Sequence, residues 1–259
     1  MIKLLVLGGG GYIGKNLLKS LPPNFEVIQI NTSSINYKIL ENTNIDIIVN
    51  LIASKVTATE QESFKSNYNL QRSIINSLSS KKLKWIQISS YYELQIQYGR
   101  SDYYSLHKAM LRDFLKEWSE SNSDFRYSCL FLPHVFGKDE SSNRLVPSIQ
   151  KLNRGEKTLF GSRNQQIPLL HIQDAINSIV LAADINETNL SAPPMWYGKL
   201  QTLIEESVKS SEILKLVEYD ETKDNYSIKR VIFPSPLYSL KHLLNYEQFK
   251  NYLQEGVDL

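Results

Sequence analysis

Apolar residues recur in two rhythms along the chain. Short unbroken runs, such as "KLLVL" at 3–7 and "IDIIVNLI" at 45–52, alternate with stretches in which apolar positions return at helical spacing. The first kind predicts strands at 2–7, 25–30, 45–52, 84–89 and 126–132. The second predicts helices at 12–21, 36–43, 60–79 and 104–120. Runs with no polar alternation suit strands buried on both faces, as in a parallel sheet covered by helices on each side. Right-handed crossovers between such strands build a doubly wound α/β fold. Beyond Pro133 the rhythm weakens. A helix at 143–154, a strand at 165–171, a helix at 173–184 and a last amphipathic helix at 237–254 are expected there.

Composition narrows the class. The chain has 259 residues, 42% hydrophobic and 22% charged, the balance of a soluble globular protein. A net charge of +2 offers neither a nucleic-acid groove nor a membrane-binding face. With Cys129 as the one cysteine, no disulfide can form within the chain, which fits a reducing compartment. The opening "MIKLLVLGGGGYIG" has a glycine run where an export signal would carry its cleavage site. A cytoplasmic location is therefore expected.

Strand 2–7 runs into "GGGGYIGKN", where two motifs overlap. Gly9, Gly11 and Gly14 fit G-x-G-x-x-G, the dinucleotide turn. Gly9, Gly14 and Lys15 fit the start of a P-loop, but Asn16 stands where that loop needs a hydroxyl for Mg²⁺. A ligand-free turn is the third alternative. The strand before and the helix after favour the dinucleotide reading, in which backbone approaches a pyrophosphate at a helix N-terminus. A Rossmann-type unit that selects NAD carries an acidic residue about 20 positions beyond its glycines. Asn31 stands there, followed by Thr32, Ser33 and Ser34. With no carboxylate to repel a 2′-phosphate, NADP(H) is preferred and NAD(H) is the alternative.

Further along, "DYYSLHK" places Lys108 four residues after Tyr104. At that spacing two side chains share a helix face. Alone, the pair is usually an ordinary helix surface. In an active site, an ammonium beside a phenol would lower its pKa from about 10 and fit it for proton exchange with a carbonyl oxygen. Tyr103 has His107 at i+4 and suits packing or substrate contact. The four histidines, His107, His134, His171 and His242, lack metal-ligand spacing, so no metal site is expected. His171 reads as structural. No G-x-S-x-G elbow supports a hydrolase.

Taken in order, "GGGYIG" with Gly8, Gly11 and Gly14, then "IDIIVNLIA", "WIQISS" and "YSLHK" resemble the extended short-chain dehydrogenase/reductase family, over about residues 1–184. Within it the chain looks like the nucleotide-sugar epimerases, dehydratases and reductases. The resemblance implies Ser90, Tyr104 and Lys108 as catalytic residues. It implies a cofactor site from Gly8, Gly11, Tyr12, Ile13, Gly14, Leu51, Ile52, Ala53, Asn67, Tyr104, Lys108, Pro133 and Val135, joined by Asn31, Thr32 and Ser33. Substrate contacts are expected from Tyr91, Tyr92 and His134, with Arg144 and Arg163 as substitutes for missing phosphate-binding arginines. The expected fold is a Rossmann-type doubly wound parallel sheet with a small C-terminal substrate-binding lobe. The cofactor domain would span 1–132 plus about 165–184, and the lobe 133–164 and 185–259. Helices 60–79 and 104–120 could pair with a second copy in a homodimer, as in relatives.

Three departures bear on the reaction. The span from Ser90 to Tyr104 is shorter than in the family and lacks its "V-Y-G" segment. Phe131 and Ile167 replace expected arginines, removing a bidentate phosphate grip. The usual third strand and its aspartate are missing or reduced between 31 and 44. Dehydratases of the family follow the catalytic Ser/Thr with an Asp-Glu pair, where this chain has Tyr91 and Tyr92. The reading is an NAD(P)H-dependent reductase of a nucleotide-linked 4-keto-6-deoxy sugar, in cell-surface polysaccharide or deoxysugar biosynthesis. The alternatives are an NAD-dependent nucleotide-sugar 4-epimerase and a non-catalytic dinucleotide-binding regulator.

Overall fold

The computed structural model describes residues 1–29, 37–78, 81–226, 228, 234–237 and 240–256, and structural statements refer to these. Asn31, Thr32 and Ser33 lie outside the described residues. The chain divides into two compact units. The first contains Met1–Leu132, Ile176–Ala192 and Val231–Leu237, and the second contains Pro133–Ala175, Pro193–Arg230 and Tyr238–Leu259.

The first unit is built on six parallel strands: β1 (Ile2–Leu7), β2 (Phe25–Gln29), β3 (Ile47–Asn50), β4 (Leu83–Ser90), β5 (Phe125–Leu132) and β9 (Asn189–Ser191). Their order is β2-β1-β3-β4-β5-β9. Every residue of β3 is buried, and seven of eight are in β4, so the unbroken apolar runs are strands covered on both faces. The chain leaves β1 for β2 on one side and resumes with β3 on the other. That reversal opens a crevice at the carboxyl ends of β1 and β3. Between β2 and β3 the described residues hold a short helix, α2 (Tyr37–Asn42), and no strand.

Helix α1 (Tyr12–Ser20) follows the glycine run. The region expected as one helix at 60–79 is three pieces: α3 (Glu60–Phe64), a π turn (Lys65–Asn69) and α4 (Leu70–Asn76). Thr59 and Glu62 form a capping box at its start. Widening the turn leaves the Ser66 carbonyl to accept from Gln71 Nε2 at 2.7 Å. Helix α5 (Tyr91–Leu94) is a single turn after β4, and α6 (Tyr103–Ser121) is the longest helix described. Asp102 caps α6 by accepting from Ser105 N–H at 3.0 Å.

The second unit holds a three-stranded sheet of β10 (Trp196–Lys199), β8 (Gln166–His171) and β6 (His134–Phe136), in that order. A second, two-stranded sheet pairs β7 (Thr158–Phe160) with β11 (Val217–Tyr219). Helices α7 (Leu145–Asn153), α9 (Leu200–Ser207) and α10 (Tyr246–Glu255) close its core around Phe136, Ile149, Leu203, Phe249 and Leu253. Helix α8 (Ile172–Asp184) crosses from one unit to the other in sequence. Two expectations are corrected here. The strand at 165–171, assigned by sequence to the cofactor domain, hydrogen-bonds to β6 and β10 in the second unit. The last helix starts at Tyr246, not at 237, because Asn245 and Gln248 form a capping box that sets its first turn.

Lys84 is a charged residue inside an apolar strand, and only 3% of it is exposed. Its ammonium donates to the carbonyls of Ala182 (2.6 Å), Ala183 (3.1 Å) and Ile185, the orphan acceptors at the end of α8. Lys84→Met keeps the stem and removes this cap. Unfolding free energy in urea is expected to fall by about 2 kcal/mol, and an unchanged midpoint would show that the cap adds no stability.

Candidate active site

The glycine turn is shaped by close backbone approach. Gly8 has φ +80°, a conformation that favours glycine, and a Cβ there would lie 3.0 Å from the Leu51 carbonyl carbon. A Cβ on Gly14 would sit 2.6 Å from Gly8 O and Gly9 Cα, so α1 can pack this tightly on the turn only with glycine. Gly11, the N-cap of α1, offers no side-chain cap, and the first turn carries no acidic residue. The N-terminus therefore presents backbone N–H groups and positive dipole without competition from a carboxylate. Tyr12 and Ile13, half-buried, form its first turn. Asn16 turns back to donate to Tyr12 O at 2.9 Å. The P-loop reading thus lacks both the hydroxyl and a side chain directed at a metal.

Leu51, Ile52 and Ala53 follow β3 beside this turn, with Leu51 N–H donating to Leu7 O at 2.9 Å. They are held by a buried polar knot that sequence patterning does not reveal. Asn50 donates to Gln71 and, at 2.7 Å, to Gln87, while accepting from Ile52 N–H at 3.2 Å. Gln71 donates to Ile52 O at 3.0 Å. Asn67, in the π turn, is fully buried. It accepts from Ser54 N–H at 2.9 Å and donates to the hydroxyls of Ser54 (2.8 Å) and Ser63 (3.0 Å). Its amide is engaged within the fold, and Asn67 shapes the strand-end loop.

Ser90 ends β4, and Tyr104 and Lys108 lie on α6 in the same unit. Ser90 Oγ accepts from Tyr92 N–H at 3.2 Å as the cap of α5, and the hydroxyls of Ser90 and Tyr104 hydrogen-bond. Lys108 is buried. Its Nζ donates to Ile88 O at 2.9 Å and lies 5.3 Å from the centroid of the Tyr104 ring. The expectation of a lowered phenol pKa is corrected. Burial pushes Tyr104 up to about 12, against the opposing Ser90 hydrogen bond, and lowers Lys108 to about 8. The ammonium lies against the ring and a carbonyl, and desolvation prevails. The phenol thus keeps its proton at neutral pH and is by itself a weaker acid than a free tyrosine.

The expected substrate contacts fare differently. Tyr91 is 1% exposed and donates its hydroxyl to Ala192 O at 2.6 Å, so its side chain is part of the interior and not a pocket wall. Tyr92 is also buried, with the Arg100 guanidinium stacked 3.9 Å from its ring centroid. Arg100 pairs in turn with Asp102 and donates to Ser105 at 3.1 Å, so the short run between Ser90 and Tyr104 is clamped from inside. Pro133, His134 and Val135 belong to the second unit, where β6 pairs with β8 and Val135 is core. Arg144 pairs with Glu140 at 3.0 Å and Arg163 with Glu221 at 2.6 Å, so both guanidinia have carboxylate partners. Among the described residues no cluster of three His, Cys, Asp or Glu could hold a metal ion, and no helix is long and apolar enough to cross a membrane.

The model of the NAD dependent epimerase/dehydratase family matches residues 4–192, from the glycine turn through Tyr104 and Lys108 to the last strand of the six-stranded sheet. The chain belongs to this family. It is accordingly an NAD(P)-dependent enzyme of the extended short-chain dehydrogenase/reductase type. No curated protein matches it in sequence. Similar folds include MoeE5 in complex with UDP-glucose and NAD (14% identity, TM-score 0.75, covering 98% of this chain and 97% of that one). Another is UDP-N-acetylglucosamine 4-epimerase from Methanobrevibacter ruminantium M1 (18%, 0.74, 98% and 96%). A third is RMD from Pseudomonas aeruginosa complexed with NADPH (12%, 0.74, 98% and 98%).

The glycine turn fits the family's dinucleotide. Gly8, Gly11, Gly14 and the uncapped start of α1 would hold the pyrophosphate, with Leu51 to Ala53 beside the adjoining half of the cofactor. Gly14→Ala forces backbone apart where 2.6 Å is available. Cofactor affinity, read by fluorescence titration, is expected to fall at least tenfold, and wild-type affinity would refute this role for the turn.

Proposed function

We propose that the chain is an NAD(P)H-dependent reductase acting on a nucleotide-linked 4-keto-6-deoxy sugar, with NADPH preferred. The observation that carries this reading is the hydroxyl pair of Ser90 and Tyr104, with the buried Lys108 against the Tyr104 ring, followed by Tyr91 and Tyr92 where a dehydratase needs an acidic pair. When bound, the nicotinamide supplies the hydride to C4. Tyr104 gives its proton to the ketone oxygen. Ser90 hydrogen-bonds the same oxygen as negative charge develops on it. Lys108, as an ammonium, stabilises the phenolate left behind. The preference for NADPH rests on Asn31, Thr32 and Ser33 replacing an acidic residue in the sequence.

A 4-epimerase is the second reading, favoured by the same Ser-Tyr-Lys set and by the likeness in fold to the 4-epimerase above. An epimerase would purify with NAD held at 1:1, whereas a reductase consumes NADPH at a steady rate. In an NADPH-oxidation screen over GDP-, dTDP-, CDP- and UDP-linked 4-keto sugars, at least one is expected to be turned over. Tyr104→Phe should lower kcat at least 1000-fold with NADPH affinity retained. Tyr103→Phe should be mild, since Tyr103 is 45% exposed and stacks on His107. Equal losses from both substitutions would overturn the assignment.

We also propose a homodimer through the outer faces of α3–α4 and α6. Phe64 and Tyr68 (5.4 Å between centroids) and Phe114 and Trp118 (5.7 Å) form an aromatic strip across these helices. Phe64, Tyr103 and Met110 remain substantially exposed in the single chain. A second copy would bury the same strip on both subunits. Sedimentation is expected to show a dimer that Phe64→Glu with Met110→Glu converts to a monomer. A wild-type monomer at micromolar concentration would rule it out.

A further inference from the structure

Glu93 is a buried carboxylate, 2% exposed, that the reaction above does not use. It lies on α5, three residues beyond Ser90. Ser89 donates its hydroxyl to Oε2. The Arg112 guanidinium lies 2.8 Å from Oε1 as an ion pair, although Oε1 accepts no hydrogen bond. Arg112 lies four residues beyond Lys108, which lies four beyond Tyr104. The three form one stripe along α6, and Glu93 meets that stripe from α5.

We propose that Glu93 is a positioning residue of the active site, a buried counter-ion held by Ser89 and Arg112 that keeps Lys108 an ammonium. This rests on reading Lys108 as the electrostatic partner of Tyr104. Lys108 has been taken out of water, and its ammonium donates to a neutral acceptor, Ile88 O. A buried ammonium needs a negative charge nearby to remain protonated. The ionisable groups around it are Glu93 from α5, Cys129 from β5 and Tyr104 from its own helix. Burial pushes the Cys129 thiol and the Tyr104 phenol upward, so both are neutral at neutral pH. Glu93 is the leading influence opposing the desolvation of Lys108. Glu93 is itself faced by Arg112 and Asp113 from α6 as well as by Lys108. Burial is the largest influence on Glu93 and raises it; the ion pair with Arg112, the Ser89 hydrogen bond and Lys108 itself oppose that rise and favour its ionised form. Asp113 is exposed, with Arg112 Nε 3.8 Å from its carboxylate, and contributes a weaker, solvent-screened field.

The sign follows from these charges. Lys108 is protonated below about pH 8 and loses its charge above it, so reductase activity should fall on the alkaline side. Removing the Glu93 charge lowers the Lys108 pKa further. In Glu93→Gln the alkaline limb of kcat/KM is expected about 1 pH unit lower, with activity near pH 6 little changed. Glu93→Asp keeps the charge and should keep the limb near its wild-type position. If Glu93→Gln folds poorly, Glu93→Met with Arg112→Met replaces the ion pair with apolar chains, an exchange that stability often tolerates.

A titration of the apoprotein needs no substrate. The 13Cε resonance of Lys108, assigned by its loss in Lys108→Met, should titrate at lower pH in Glu93→Gln, or in the double Met variant, than in wild type. Superimposable titrations in a folded variant lacking the Glu93 charge overturn the proposal. A shifted lysine titration with no turnover of any keto sugar would leave it standing and sink only the reductase assignment.

Discussion

A lysine ammonium removed from water, donating at 2.9 Å to the Ile88 carbonyl, is the constraint around which the candidate active site is arranged. Such a group is tolerated only where the fold supplies its partners. The partners come from different elements: the carbonyl from β4, the Tyr104 ring from the preceding turn of α6, and the Glu93 charge from the single turn of α5. Asp102 fixes where α6 starts, and Arg100 locks Asp102, Ser105 and Tyr92 together. The short run from Ser90 to Tyr104 therefore needs no family-style insert to be ordered. Its interior is held by one guanidinium.

The same logic operates across the sheet. Asn50, Gln71 and Gln87 link β3, α4 and β4 through buried amides, each acting as both donor and acceptor. A network of this kind is costly if any member is missing, which makes it specific: it admits one register of strand and helix. Asn67 extends it to Ser54, and so to the loop that flanks the glycine turn. The ends of β3 and β4, where the candidate site lies, are thus braced by hydrogen bonds in addition to apolar packing.

The fold was largely legible in sequence because its strands are unbroken apolar runs. β1 matches its expected range, β4 is one residue longer at each end, and β5 one residue longer at its start. Ser90, Tyr104 and Lys108 could be chosen by their order behind a glycine turn, and the structure brings their side chains together. Other features left no such trace. A π turn has the same composition as the helix around it, so Lys65–Asn69 read as ordinary helix. Tyr91 looked like a pocket residue because nothing local shows that Ala192, 101 positions away, accepts its hydroxyl. Lys84 and Glu93 drew no reading from the sequence because hydropathy does not say where a long side chain finds partners. Two signals were readable in principle: the Asn245–Gln248 capping box, and a glutamate set in the otherwise apolar "YYEL" after Ser90.

The division of the chain between the two units has a consequence for how the protein is made. Neither unit is contiguous, and the boundary is crossed at 132/133, 175/176, 192/193, 230/231 and 237/238. The glycine turn and Tyr104 leave the ribosome early, yet β9, which pairs with β5, comes from residues 189–191, and Pro236 bridges to it later still. At about 5–20 residues per second, the nascent sheet would wait several seconds with an unpaired flank at β5. That flank carries the sequence "CLF", a hydrophobic edge during exactly the interval when a chain is most open to wrong partners. The order of the strands thus leaves this edge unpaired until residues 189–191 have been synthesised.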